Sequence, residues 1–304
     1  MAGENYVLGI LFGLLSGNLS NFGNVLEKKA VIDIPKEQRD VNFGKKLLTN
    51  PLWLTGFILA TIIDPIFLLI SQDLLGTELG PTIQPLLMSS GLIVLAIGSV
   101  KIVGEKLGKI EYTGIVLMIL GIIFLAFSNL EPGEGDITNP DFIVRMTIFT
   151  VLIFIFVLLT AYGAHVVEKE SYKGIILSIS IGFAFVLSNF WISIMLTSFG
   201  ELSSGDITII VLLIVALIIL MSTNFYGIAR LQVAFKYVDA SKAIPLNLAP
   251  QQIVPIFAYI FVFALPPSPY SAVLFTLGII VIVISGYLLV KRQAELEAKL
   301  EAIN

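Results

Sequence analysis

Asp64 is the side chain whose chemistry most needs a reason. It lies about three helical turns, roughly 16 Å, past Trp53, inside the apolar run 52–71. A carboxylate at the middle of a bilayer costs at least ~2.5–3.5 kcal/mol on insertion scales. Its oxygens can receive a polar solute, carry a proton or face a cation. A magnesium ion there would have Asp64 as its deep carboxylate and would keep most of its water. Pro65 follows directly, so Asp-Pro also reads as a helix N-cap with proline at N1. In that reading the second span breaks here and Asp64 only caps the new segment.

Amides form the second group. Asn18, Asn21 and Asn24 recur every third residue in the first apolar run, 6–28. On a helix, Gly13, Gly17, Asn21, Asn24 and Lys28 share one face, opposite Leu8, Leu11, Leu15, Leu19, Phe22 and Leu26. A helix surrounded by lipid has no use for such a face, which suits a cavity wall. The ninth run contains AIPLNLAPQQIVPIF, with Asn247, Gln251 and Gln252 between Pro245, Pro250 and Pro255. Each interior proline frees backbone carbonyls, which membrane depth tolerates only where protein or water satisfies them. Gln84 stands just before Pro85 in a similar setting. Asn224 and Tyr226 lie deep in the eighth run, and Asn189 in the seventh reads as the second copy's equivalent of Asp64. The plainer alternative is that these amides and hydroxyls only join neighbouring helices. Arg230 and Lys236 snorkel to the boundary. His165, the single histidine, reads as interfacial.

Other chemistries lack their residues. The chain has no cysteine, which removes thiolate metal sites, thiol nucleophiles and disulfides. It has no GxxxxGK[ST], HExxH or GxSxG pattern. An enzyme is not expected, and neither is a cofactor. A net charge of −4 implies no nucleic-acid partner.

The elements that must position these residues are membrane helices. Residues are 57% hydrophobic and 13% charged, and mean hydropathy is +0.96, values outside the range of soluble domains. Ten spans are expected, at 6–28, 52–71, 74–88, 90–104, 111–128, 142–164, 174–198, 208–229, 241–264 and 270–290. The first has no basic flank or cleavage site and is read as a retained span. NVLEKK at Asn24–Lys29 is echoed by HVVEKE at His165–Glu170, and Gly121-Ile122-Ile123 by Gly278-Ile279-Ile280. The chain therefore reads as two copies, 1–128 and 142–290, joined by an acidic linker, 129–141. Five spans per copy is an odd number, so the copies insert in opposite directions, a plan found in alternating-access carriers. Lysine counting puts both termini in the cytoplasm, although the basic loop 30–50 then falls on the opposite side, against the positive-inside rule. The tail, 291–304, reads as a helical extension of the last span, with a dimer or partner helix as the alternative.

The run PLLMSSGLIVLAIGSVKIVGEKLGKIEYTGIVLMILGIIFLAF after Gln84 resembles the closing half of the repeat in the drug/metabolite transporter (DMT, EamA-like) superfamily. The matching features are Pro85, the turn Gly104-Glu105-Lys106-Leu107-Gly108, Gly114 and Gly121. The second copy keeps Pro245 and Gly278 but has Ala264-Leu265-Pro266-Pro267-Ser268 in place of the turn. Lys28-Lys29, Leu52-Trp53 with Gly56, Gly108-Lys109 and Asn224-Phe225 are similar to stretches of NIPA-type magnesium transporters.

The expectation is an all-α polytopic membrane protein of about ten transmembrane helices in two inverted five-helix repeats, seated in the cell membrane. The resemblance implies a secondary transporter moving a small polar solute, with a magnesium or other divalent-cation transporter as the alternative. Its substrate would meet Asn18, Asn21, Asp64, Gln84, Asn189, Asn224, Tyr226, Asn247 and Gln251. A membrane scaffold that transports nothing is the competing class.

Overall fold

The computed structural model describes residues 2–35, 42–71, 74, 87–88, 90–128, 137–264 and 267–301. Among them every regular element is helical. In chain order these are α1 (Ala2–Asp33), α2 (Phe43–Leu48), α3 (Pro51–Ser71), α4 (Gly91–Val103), α5 (Lys109–Phe127), α6 (Pro140–Val166), α7 (Glu170–Gly200), α8 (Ile207–Tyr237), α9 (Ala240–Phe261) and α10 (Pro269–Glu301). Six of them, α3, α5, α6, α7, α8 and α10, contain stretches long and apolar enough to cross a bilayer.

Helix starts follow the local chemistry. Asn50 Oδ1 accepts from the backbone N–H of Leu52 at 2.9 Å and of Trp53 at 3.2 Å, with Pro51 at N1. Asn139 Oδ1 accepts from Asp141 N at 2.9 Å ahead of α6, again with proline at N1. The N-cap amide satisfies donors that the first turn leaves unpaired, and proline gives up an N–H the turn does not use. Gly104, at φ +85°, closes α4 in a left-handed conformation that glycine adopts without a Cβ clash.

By packing, the chain forms two compact units that are not consecutive halves. Unit 1 holds Met1–Glu131, Phe235–Pro245 and Pro269–Asn304; unit 2 holds Pro132–Ala234 and Leu246–Ser268.

In unit 1, α1 and α3 are antiparallel. Ser71 Oγ donates to Gly9 O at 2.7 Å, and Gly23 faces Gly56. A Cβ on either glycine would fall 2.5–2.6 Å from the other's carbonyl oxygen, so only hydrogen fits at this crossing. Along α4 the order is reversed. Leu87 meets Gly13, Gly91 meets Gly17 and Gly98 meets Val25, so α4 runs parallel to α1. α5 and α10 are antiparallel: Ser285 Oγ donates to Gly114 O at 2.6 Å, and Gly121 packs reciprocally on Gly278. Close backbone approach at small residues is the usual way for helices to associate where lipid removes the hydrophobic drive.

Unit 2 packs differently. Its core is Phe142, Met146, Phe149, Ile153, Val186, Leu187, Trp191, Ile194, Leu212, Ala216, Val254, Ala258 and Val262 with Ile137. Phe149 meets Phe190 at 5.0 Å between ring centroids and Phe142 meets Phe263 at 5.5 Å. Trp191 Nε1 donates to Thr150 Oγ1 at 3.0 Å, tying α7 antiparallel to α6.

These directions correct the expected path of the first half. Spans at 74–88 and 90–104 would make the fourth antiparallel to the first. Instead Ser71 and Leu87, on either side of residues 72–86, both meet α1 between Gly9 and Gly13, and α4 then runs with α1. The span expected at 74–88 lies almost wholly outside the described residues, as do Gln84 and most of the linker, 129–136. The C-terminal ends of α1 and α10 stand at the same end of unit 1, where Lys28 reaches residues 235–238 and Leu289 lies beside Gly114. Ala2 and Glu301 therefore stand at opposite ends of unit 1. Lys236 Nζ sits 4.0 Å from the Phe43 ring centroid. Phe43 at the start of α2 thus stands at the end of unit 1 where Lys28 meets residues 235–238.

Candidate functional site

Asp64 sits inside α3, at φ −53° and ψ −54°, and is not a cap. The strain of Pro65 is taken up one turn earlier. Residues Leu59–Ile63 widen into a π turn, with Asp64 N–H bonded to Leu59 O. Such π turns inside α-helices are frequent at functional sites. The carboxylate is buried, 7% exposed, and accepts hydrogen bonds from the hydroxyls of Ser16 and Ser20 on α1. Among the described residues no lysine or arginine pairs with it.

The amides of α1 lie beside this group on the face toward α4. Asn21 is buried and donates through Nδ2 to Gly17 O at 3.0 Å, while its Oδ1 has no partner among the described residues. Asn18 Oδ1 accepts from Ser90 Oγ at 3.3 Å. A buried amide oxygen without a donor is expensive to keep, and it marks this wall of α1 as receptive.

In unit 2 the expected residues form two neutral sets. Asn224 on α8 donates through Nδ2 to Ser188 Oγ on α7 at 2.6 Å, and Tyr226 shares a 2.8 Å hydrogen bond with Ser180. On the other side of α7, Asn189 Nδ2 donates to Gln251 Oε1 of α9 at 3.4 Å, and Gln251 Nε2 donates to Asn247 Oδ1 at 3.1 Å. Gly182, against Asn247 and Pro250, lets α7 and α9 run parallel. Arg230 lies 5.6 Å from the Tyr226 ring centroid and is exposed, as snorkelling predicts.

The tripeptide Ser20-Asn21-Phe22 of α1 recurs as Ser188-Asn189-Phe190 of α7. Ser20 bonds Asp64 and Ser188 accepts from Asn224. Asn224 thus stands to Ser188 as Asp64 stands to Ser20, and Asn189 follows Ser188 as Asn21 follows Ser20. The echo NVLEKK/HVVEKE pairs α1 with α6. The shared tripeptide lies on α1 and α7.

A second cluster is not legible in the sequence. Lys242, at the start of the expected ninth span, is 1% exposed. Its ammonium lies 2.5 Å from Asp239 Oδ2 and 3.9 Å from Glu111 Oε1. Lys28 is also buried; its Nζ donates to Phe235 O at 2.6 Å and Val238 O at 2.7 Å, capping the C-terminus of α8. Glu105 accepts from the backbone N–H groups of Ala240 at 2.8 Å and Ser241 at 3.3 Å, and from Ser241 Oγ at 2.6 Å. A carboxylate at a helix N-terminus and an ammonium at a C-terminus each match the helix dipole. Glu105 belongs to the Gly104–Gly108 turn, a visible motif, but nothing local says that it reaches residue 240.

Among the described residues no group of three His, Asp or Glu side chains assembles as a metal site. Asp64 would meet a divalent cation with serine hydroxyls as its nearest company. No protein-family model matches the chain, and neither does any curated protein or solved structure.

Proposed function

We propose that this protein is a secondary transporter of the drug/metabolite type, moving a small polar solute by alternating access. The observation that carries the reading is Asp64, a buried carboxylate on a π-widened helix. Among the described residues it is answered by two serine hydroxyls and by no cation. A charge kept at membrane depth without an opposite charge has a function by default. In this reading the solute, or a proton travelling with it, supplies what Asp64 lacks, and the open amide of Asn21 orients the solute.

The repeat, so read, matches α1, α3, α4 and α5 with α7, α8, α9 and α10, leaving α6 as the additional crossing that inverts the second set. In this reading the lysines at 28, 29, 45, 46, 101, 106, 109, 236, 242 and 291 favour a cytoplasmic side for their end of unit 1, with the C-terminus. The N-terminus is then on the far side of the cell membrane.

The test combines binding and uptake. Purified protein is screened by thermal shift against metabolites and divalent cations, since a ligand of the folded state raises its stability. The hit is then measured for uptake into liposomes under a pH gradient. Asp64→Asn is expected to fold and to lose gradient-driven accumulation at least tenfold. Equal uptake by Asp64→Asn removes the carboxylate from the mechanism, and no ligand-dependent shift at all returns the protein to the scaffold class.

A further inference from the structure

We infer that Glu105, Lys28 and Lys242 form a latch that holds the lysine-rich end of the protein shut, and that releasing it opens that end; the inference rests on the transporter reading. The latch grips a single hairpin turn. α8 ends at Tyr237 and α9 begins at Ala240, and the turn between them is clasped on both sides. Lys28, at the end of α1, holds the last carbonyls of α8. Glu105, from the turn after α4, holds the first N–H groups of α9 and the Ser241 hydroxyl. Lys242, in the first turn of α9, lies against Glu111 in the first turn of α5.

Three features separate this from ordinary helix capping. The caps come from other helices, more than a hundred residues away in sequence, so they fasten elements and do not merely finish them. The charges are nearly dry: Lys28, Glu105, Glu111 and Lys242 are each no more than 8% exposed. Exposed caps would do the same electrostatic work at far lower desolvation cost, and buried ion pairs are best attested where they select one arrangement over another. Finally, the clasped helices carry several of the polar groups. α1 bears Asn18 and Asn21, α8 bears Asn224 and Tyr226, and α9 bears Asn247 and Gln251. Opening, in this inference, means that the 235–242 hairpin parts from Lys28 and Glu105. Each freed charge and helix terminus then gains water, so the latched and open forms are both satisfiable.

The absence of native cysteine allows a direct test. Ser99 on α4 is fully buried, its hydroxyl has no partner among the described residues, and its carbonyl accepts from Glu105 N at 2.9 Å. Ser99→Cys therefore places a thiol under the latch at little structural cost. Ser71→Cys gives a second buried reporter at the other end of α1. Both are labelled in membranes with a small membrane-impermeant thiol reagent supplied to each side. Glu105→Gln and Lys28→Met are each placed in both reporter backgrounds. Either is expected to raise labelling at position 99 at least tenfold without a comparable rise at position 71, and Glu105→Asp to give an intermediate rate. Ser241→Ala, which removes only one hydroxyl bond, keeps the test open if the charge variants do not fold. It is expected to raise labelling at position 99 about threefold. Unchanged labelling of the Ser99→Cys thiol overturns the latch. So does a parallel rise at both reporters, which signifies general loosening. The readout needs no solute, so a failed latch is distinguishable from a failed transport reading.

Discussion

In unit 1, α1 lies antiparallel to α3 and parallel to α4; in unit 2, α7 stands in the same relation to α8 and α9. The chemistry that fills this shared arrangement differs. Unit 1 closes its crossings with glycine on glycine, at Gly23/Gly56 and Gly121/Gly278, and buries Asp64, Glu105, Glu111, Lys28 and Lys242. Unit 2 closes around phenylalanine and tryptophan, and its polar contacts pair amides with hydroxyls and with one another. Where Ser20 meets a carboxylate, Ser188 meets an amide. An amide at that position satisfies its partner at any pH and needs no companion, whereas in the proposed transport cycle the carboxylate is matched by the arriving solute or proton. The arrangement is thus common to both units, and the buried carboxylate facing a serine belongs to one.

The comparison can be broken by stability measurements, because charges, glycine contacts and neutral hydrogen bonds fail by different amounts. Lys242→Met removes the buried ammonium that meets Asp239 and faces Glu111 and should cost about 3–5 kcal/mol, the largest loss, seen as a marked fall in thermal unfolding temperature in detergent. Gly23→Leu forces α1 and α3 apart and should cost about 1–3 kcal/mol, with Gly23→Ala intermediate between Leu and the native residue. In unit 2, Asn224→Ala should cost about 0.6–1.7 kcal/mol, the range of hydrogen bonds between membrane helices. Thr150→Val keeps the shape of the threonine and removes only the acceptor of the Trp191 N–H, and should cost about 0.5–1.5 kcal/mol. If Asn224→Ala destabilises as much as Lys242→Met, the distinction between a charged unit and a neutral one has no energetic content.

Asn224→Asp sharpens the same comparison at the level of function. It gives unit 2 the carboxylate that unit 1 holds, facing Ser188 as Asp64 faces Ser20. In an Asp64→Asn background it should restore part of the pH dependence of uptake if the two positions are equivalent. Uptake that stays pH-independent in the double variant would show that the equivalence is one of packing alone.

Much of this was present in the one-dimensional pattern. Hydropathy placed the helices, because in a membrane the apolar run and the helix are nearly the same object. Asn50-Pro51 and Asn139-Pro140 marked helix starts through bonds spanning two or three residues. Asp64, Asn21 and Asn224 stood out because membrane depth makes any polar group conspicuous. Tertiary structure decided what each of these meets and which way the helices run. Hydropathy is a local sum, and an apolar run reads the same in either direction. The path of the first half therefore turned on how Ser71 and Leu87 sit against α1. Lys28 and Lys242 look in sequence like any lysine at a membrane boundary. Only the approach of residues 235–242 to Glu105 and Glu111 turns them into buried partners, because an ion pair is defined by a distance that no spacing along the chain contains.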